Sequence, residues 1–356
     1  MENKELFEFL ENIIKIPTVS GFESRNAEKI AKTCMDFSAG FFDSFKILPS
    51  GSILLEKKSG KTDATKLVID AHIDTIGFIV KEICGGGFVK VTGLGGVDPY
   101  ILPATPVILH GKEDLSGVFT SVPPHLAKKD GKEELKISDL FVDTGLSEQE
   151  LSKICPIGTP CSFDAEPVLL QNGIVASHGL DDKACVTAVI YACKMLASRG
   201  IYPDSDVYVH LSAGEEKTML GAKTLPYLLD ADGCIVLDVN FAYTQGVQKH
   251  ESLMLGKGSG VSYSASIKRE LTDFVAYTAE KHGLPLQKVV EMRSTGTNAT
   301  MLHKNGIPCA VLSVPLKNMH TNCESAALSD IESCAEVLCA VISDFHKCKG
   351  FEEVLV

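Results

Sequence analysis

The chain has 356 residues, 45% of them apolar and 22% charged, which fits a folded globular protein larger than one core usually supports. A net charge of −12 excludes nucleic acid and anionic membrane as default partners, and no apolar run is long and uncharged enough to span a bilayer. Twelve cysteines without a Cys-x-x-Cys pair, and a polar start in place of a secretory signal, point to free thiols in a reducing cytoplasm.

Leu6, Leu10, Ile13 and Ile14 fall on one face of a helix that Pro17 ends. A second helix is predicted over Asn26–Asp36, then a strand pair from Phe45 to Leu55 turning at Pro49-Ser50-Gly51-Ser52. The run Lys66-Leu67-Val68-Ile69 reads as a buried strand leading into Ala71-His72-Ile73-Asp74. From 77 to 174 the texture changes to short β-type runs between Gly and Pro turns, with one short helix near Ser147–Ile154. That is an inserted β-rich domain, a small barrel.

After Gly179-Leu180-Asp181-Asp182 the helical texture returns over Lys183–Ser198. Strand Asp206–Ser212, a helix from Met219 to Leu229, and a strand from Gly233 ending at Asp238 follow. Helices over Arg269–His282 and Asn298–Lys304, strand Cys309–Val314 and a last helix over Ser329–Lys347 complete the pattern. Strands alternating with helices predict an α/β fold, a mostly parallel sheet with helices on both faces. Residues 1–76 and 175–356 are expected to form this domain, and 77–174 to interrupt it.

In such folds the ligand site lies beyond the carboxyl ends of the strands. Five sets of polar residues fall there: His72 with Asp74, Asp181-Asp182, Glu215-Glu216, Asp238 and His320. Singly, each has a bland alternative. Asp181-Asp182 suits a helix cap and first turn, and a lone His is usually a satisfied polar side chain. Their coincidence in one topological position favours a metal site instead. Two His with several carboxylates suit zinc, cobalt or manganese.

Ala71-His72-Ile73-Asp74, Gly179-Leu180-Asp181-Asp182-Lys183, Gly214-Glu215-Glu216 with Gly221-Ala222, Leu237-Asp238-Val239 and His320 with Glu324 resemble the signature of the co-catalytic metallo-aminopeptidases. The resemblance is to the glutamyl/deblocking branch, which includes the tetrahedral aminopeptidases and members labelled endoglucanase-like. Ser20-Gly21-x-Glu23, Gly95-Gly96-Val97-Asp98, Pro123-Pro124-His125-Leu126, Leu140-Phe141-Val142-Asp143, Ile157-Gly158 and Gly256-Lys257-Gly258 extend it along the chain. It implies two divalent cations, zinc or cobalt, bridged by Asp181. One takes His72 and Asp238, the other Glu216 and His320. It also implies a cis Asp181–Asp182 peptide, Glu215 as general base and Asp74 orienting His72 through its other ring nitrogen. The implied substrates are peptides with a free N-terminus, and the implied assembly is dimer-based, up to a dodecamer.

Cys185, Asn298 and the run His320-Thr321-Asn322-Cys323-Glu324 depart from the family pattern, which has Gly, Asp and His-Ser-Pro there. The alternatives are a related metal-dependent deacylase of N-acyl amino acids, a glycosidase and an inactive shell protein. A glycosidase has no use for His72 and His320, the chain has no Trp for a sugar platform, and an inactive shell has no reason to keep Glu215.

Overall fold

The computed structural model describes residues 4–122, 134–292 and 294–348. The Pro123-Pro124-His125-Leu126 motif lies outside them. The chain begins with α1 (Lys4–Ile14) and α2 (Ala27–Phe37), then β1 (Ser44–Ile47), β2 (Ile53–Lys57) and β3 (Lys66–His72). Six strands follow: β4 (Gly77–Cys84), β5 (Phe88–Leu94), β6 (Pro106–His110), β7 (Asp114–Phe119), β8 (Val142–Asp143) and β9 (Pro160–Phe163), with α3 (Glu148–Ile154) between the last two. They close into a barrel in the order β4-β5-β8-β7-β6-β9. Its interior is filled by alternate side chains, among them Phe78, Val80, Val89, Val91, Val107, Leu109, Phe119 and Phe163.

The chain then forms β10 (Val168–Leu169), β11 (Ile174–Ser177), α4 (Leu180–Ser198), β12 (Asp206–Ser212), α5 (Leu220–Thr224) and β13 (Gly233–Phe241). The last elements are β14 (Ser259–Tyr263), α6 (Arg269–Lys281), β15 (Leu286–Val290), α7 (Asn298–Lys304), β16 (Cys309–Leu316), β17 (Glu324–Ala327) and α8 (Leu328–Asp344). The main sheet runs β1-β2-β12-β3-β13-β16-β14-β15, and its four middle strands are mutually parallel. A separate small sheet, β10-β11-β17, lies beside it.

Burial on both faces explains the near-continuous apolar runs of the middle strands. All eight residues of β16 are buried, as are six of the seven in β3. Side chains alternate along each strand. Leu67, Ile69 and Ala71 pack with α1, α2, α4, α6 and α8, whereas Val68 joins Tyr208, Ala222 of α5 and Leu302 of α7 on the other face. Helix α4 is apolar nearly all round because the sheet and neighbouring helices enclose it.

Several elements differ from the sequence expectation. The helix expected over Met219–Leu229 is α5 followed by a 3₁₀ turn, Leu225–Tyr227. Pro226 lacks the N–H that would continue the α-helical ladder. Strand β13 does not stop at Asp238 but runs three residues further beside β16. Strands β14 and β15 are additional, and β14 enters the sheet antiparallel to β16. Among the described residues no helix is long and apolar enough to cross a membrane.

Candidate metal centre

The middle strands bring the five polar sets together. His72 ends β3, and its register partner on β12 is Ser212, so the loop Gly214-Glu215-Glu216 emerges beside it. The last β13–β3 pair is Val236 with Asp70, and Asp238 stands two residues beyond it, above the place where β3 ends. Asp181 and Asp182 enter α4 across a cis peptide. His320 lies between β16 and β17 in a left-handed backbone conformation, φ 63°.

Asp181 is the hinge of the arrangement. Its Oδ1 is 3.1 Å from His72 Nε2, which is also 4.0 Å from Asp238 Oδ1. Its Oδ2 is 3.4 Å from His320 Nε2, which is 3.5 Å from Glu216 Oε2. Donor atoms held ~2.1 Å from one tetrahedral cation stand about 3.4 Å apart, close to the His72–Asp181, His320–Asp181 and His320–Glu216 separations. The donors that all lie within 4.8 Å of one another are His72, Asp182 and Asp238, and His72, Asp181 and Glu216. Asp182 stands beside His72 and Asp238 as a further carboxylate. Its Oδ2 accepts from the His72 N–H at 3.3 Å, while its buried Oδ1 has no partner among the described residues.

Two other carboxylates hold the loops. Glu324 accepts from the Asp181 N–H through Oε2 at 3.1 Å and from the His320 N–H through Oε1 at 3.0 Å. Asp74, fully buried, accepts from the Glu215 N–H through Oδ1 at 3.0 Å and from the Glu216 N–H through Oδ2 at 3.1 Å. His72 Nδ1 lies 3.0 Å from the Asp74 main-chain oxygen and 3.5 Å from its Oδ1. The Asp74 carboxylate therefore grips the Glu215-Glu216 backbone more closely than it does the imidazole. The barrel closes over the centre. A Cβ on Gly96 would stand 2.6 Å from His320 Nδ1, and one on Gly95 would stand 3.1 Å from Glu216 Oε2.

So many buried acids repel one another. Burial, then the neighbouring charge of Asp182, pushes the Asp238 carboxyl well up. Burial and Asp181 do the same to Glu216. Burial opposes ionisation of Asp181 too, but hydrogen bonds from His320 and His72 outweigh it and hold that group below the usual carboxylate range. Burial pushes Glu215 up to about 7, with Asp74 and Asp181 adding to the rise and His72 opposing it. His72 is raised despite its burial, because Asp181 and Asp74 favour the imidazolium. A set of donors that binds protons this readily is one that divalent cations satisfy by replacing them. The residues therefore fit a metal centre.

Sequence reasoning missed the polar layer beneath it. Asp70 Oδ2 is 2.7 Å from His210 Nδ1, and its Oδ1 accepts from Ser212 Oγ at 3.2 Å and Asn298 Nδ2 at 2.9 Å. The sequence signal was a polar residue inside each of two otherwise apolar runs, Asp70 and His210; that they meet follows from the parallel register of β3 and β12. Asn298, where the resemblance expects Asp, supplies an N–H₂ that a second carboxylate could not. Glu23, noted only as a motif match, accepts from the Gly21 and Gly214 N–H groups, both at 2.9 Å, and so pins the Glu215 loop from the other side. Cys185 is buried with its thiol near Asp182.

A family model described as M42 glutamyl aminopeptidase matches residues 51–337. The chain belongs to that family, and with it to the peptidases. A lysyl aminopeptidase of Pyrococcus furiosus is 30% identical over 95% of this chain and 97% of its own. The TET aminopeptidase of a marine sediment thaumarchaeote superposes with a TM-score of 0.87 at 26% identity, covering 96% of this chain and 97% of the other. The TET1 peptidase of Pyrococcus horikoshii, which assembles into a tetrahedron or a large octahedral shell, gives 0.82 at 28% identity over 95% and 99%.

Proposed function

We propose that this chain removes N-terminal residues from peptides with two divalent cations, zinc or cobalt. Asp181 would bridge them, with His72 and Asp238 on one and Glu216 and His320 on the other. The observation that carries this reading is the placement of the two Asp181 oxygens, one facing each His-and-carboxylate group. When bound, such ions supply Lewis-acid polarisation of the scissile carbonyl and make water a nucleophile near neutral pH.

The chain's own groups do the rest. Glu215 is left out of both ligand sets and sits in the same cavity, of about 410 Å3. Its raised proton affinity suits a base that takes a proton from the attacking water and returns it to the leaving amine. Asp74 and Glu23 fix the loop that carries it, and Glu324 fixes Asp181 and His320. The cavity's carboxylates complement a free α-amine, which favours cleavage at N-termini over removal of acyl groups.

Self-association into a dimer-based shell, with the barrel contributing contacts, is the assembly in keeping with the tetrahedral relatives. The free state of all twelve cysteines suits a reducing cytoplasm. Hydrolysis of aminoacyl p-nitroanilides compared with their N-acetylated forms tests the activity. Turnover confined to the free amines is expected. Preferential turnover of the acylated compounds would replace the aminopeptidase with a deacylase.

A further inference from the structure

The cavity that holds the metal ligands also contains an acid that neither the ligand sets nor the base assignment uses. Glu291 follows edge strand β15 and is half-buried in the wall, with Val239, Phe241, Met219 and Met319 supplying apolar surface. Its main-chain N–H donates to the Tyr263 oxygen at 2.9 Å, which fixes the backbone. Its side chain is held from two other strands of the sheet, β13 and β14. Asn240 Nδ2 of β13 donates to Oε1 at 2.9 Å, and Ser262 Oγ of β14 donates to the same oxygen at 3.2 Å.

Both partners are neutral and both use Oε1. Among the described residues, Oε2 has no hydrogen-bond partner and no cation lies within ion-pairing distance of this carboxylate. Arg269 and Lys288 line a neighbouring surface hollow with Glu291, but Arg269 is committed to Asp273 at 2.8 Å and stacks over Tyr263. Among the described residues, the cavity lining carries no Lys or Arg. Among the described residues, this acid is fixed by neutral donors and has no cationic partner, so its charge suits a cationic ligand.

We propose that Glu291 is the specificity-determining residue, and that it selects lysine or arginine as the N-terminal residue of the peptide. The proposal rests on the aminopeptidase reading and adds the substrate class to it. The apolar wall receives the methylene stem, and the free Oε2 accepts from the ammonium or guanidinium head. An N-terminal Glu or Asp meets like charge and is rejected, and a Leu leaves the carboxylate without its partner.

The test uses the metal-loaded full chain with lysine, arginine, leucine and glutamate p-nitroanilides. The wild type and Glu291→Gln, Glu291→Asp and Glu291→Lys variants are compared. Glutamine keeps the shape and an oxygen for Asn240 and Ser262 but removes the charge. The wild type should favour lysine and arginine over leucine. Glu291→Gln should cut kcat/KM for lysine by about tenfold to a hundredfold while leucine changes by less than about threefold. Glu291→Asp should restore part of the lysine preference, and Glu291→Lys should move it toward glutamate.

An unchanged lysine-to-leucine ratio in Glu291→Gln overturns the assignment, as does a wild type that cleaves leucine or glutamate better than lysine. Either result leaves the aminopeptidase standing. Failure to cleave any free-amine substrate overturns the aminopeptidase reading itself, and this proposal with it.

Discussion

Replacing Asp74 by Asn tests how the Glu215 loop is held. The fully buried carboxylate accepts two main-chain N–H groups, at 3.0 and 3.1 Å, from the two residues proposed as base and ligand. In Asn one oxygen becomes an NH₂, so one of those N–H groups faces a donor. A hydrogen bond to a charged group contributes about 1.5–3 kcal/mol. At about 1.4 kcal/mol per tenfold, full expression in the transition state lowers the rate by roughly 10- to 100-fold. Groups that orient metal ligands typically cost the same range when removed. The loss should fall on kcat, because the reacting groups are displaced while the apolar wall of the substrate cavity is untouched. Unfolding entropy of roughly 2 cal/mol/K per residue converts the same loss to a melting shift of about 2–4 °C, so the variant stays folded at assay temperature. Steady-state kinetics on an aminoacyl p-nitroanilide, with metal content measured on the same sample, decides the matter. A kcat within twofold of wild type at full metal occupancy would refute the positioning argument.

Other perturbations probe the centre, the barrel and the surface. Chelation should abolish turnover and lower the melting midpoint, with zinc or cobalt restoring both, because the cations bind only the folded cluster of mutually repelling acids. A melting curve unmoved by chelator would count against a cation there. Phe78→Ala removes a fully buried ring that meets Phe119 at 5.0 Å and Phe163 at 5.3 Å between centroids, and should destabilise the barrel by about 3–5 kcal/mol in denaturant titration. Burial opposes ionisation of Asp344, but Lys347, Lys281 and His282 outweigh it and hold its carboxyl below the usual range. A folded value below the unfolded one contributes stability above about pH 4 that is lost as pH falls through the folded value. Asp344→Asn should therefore flatten the acid limb of the stability–pH curve.

The middle strands were legible because a sheet buried on both faces imposes long apolar runs, and the clustered polar residues come where those runs end. His72 closes β3, and Glu215-Glu216 follow the end of β12. The barrel was legible through its short strands and turns. Strand β14 was not, since Ser259-Gly260-Val261-Ser262-Tyr263 owes its place to the β16 edge rather than to its own β-propensity. The Asp70, His210 and Asn298 layer was hidden because its members lie far apart in the chain and meet only through strand register. The same holds for Glu291, whose anchors lie 51 and 29 residues away. Sequence proximity pairs the Asp74 carboxylate with His72, whose Nδ1 stands 3.5 Å from Oδ1, but gives no sign that it also accepts from two residues more than 140 positions distant.

The most direct measurement pairs metal analysis with turnover in Glu215→Gln. Two divalent ions per chain, as in the wild type, together with a kcat reduced by at least about a hundredfold, is the expected result. Peptide hydrolysis at close to the wild-type rate, or loss of the ions along with the activity, would contradict a free acidic group standing beside a completed pair of cation sites.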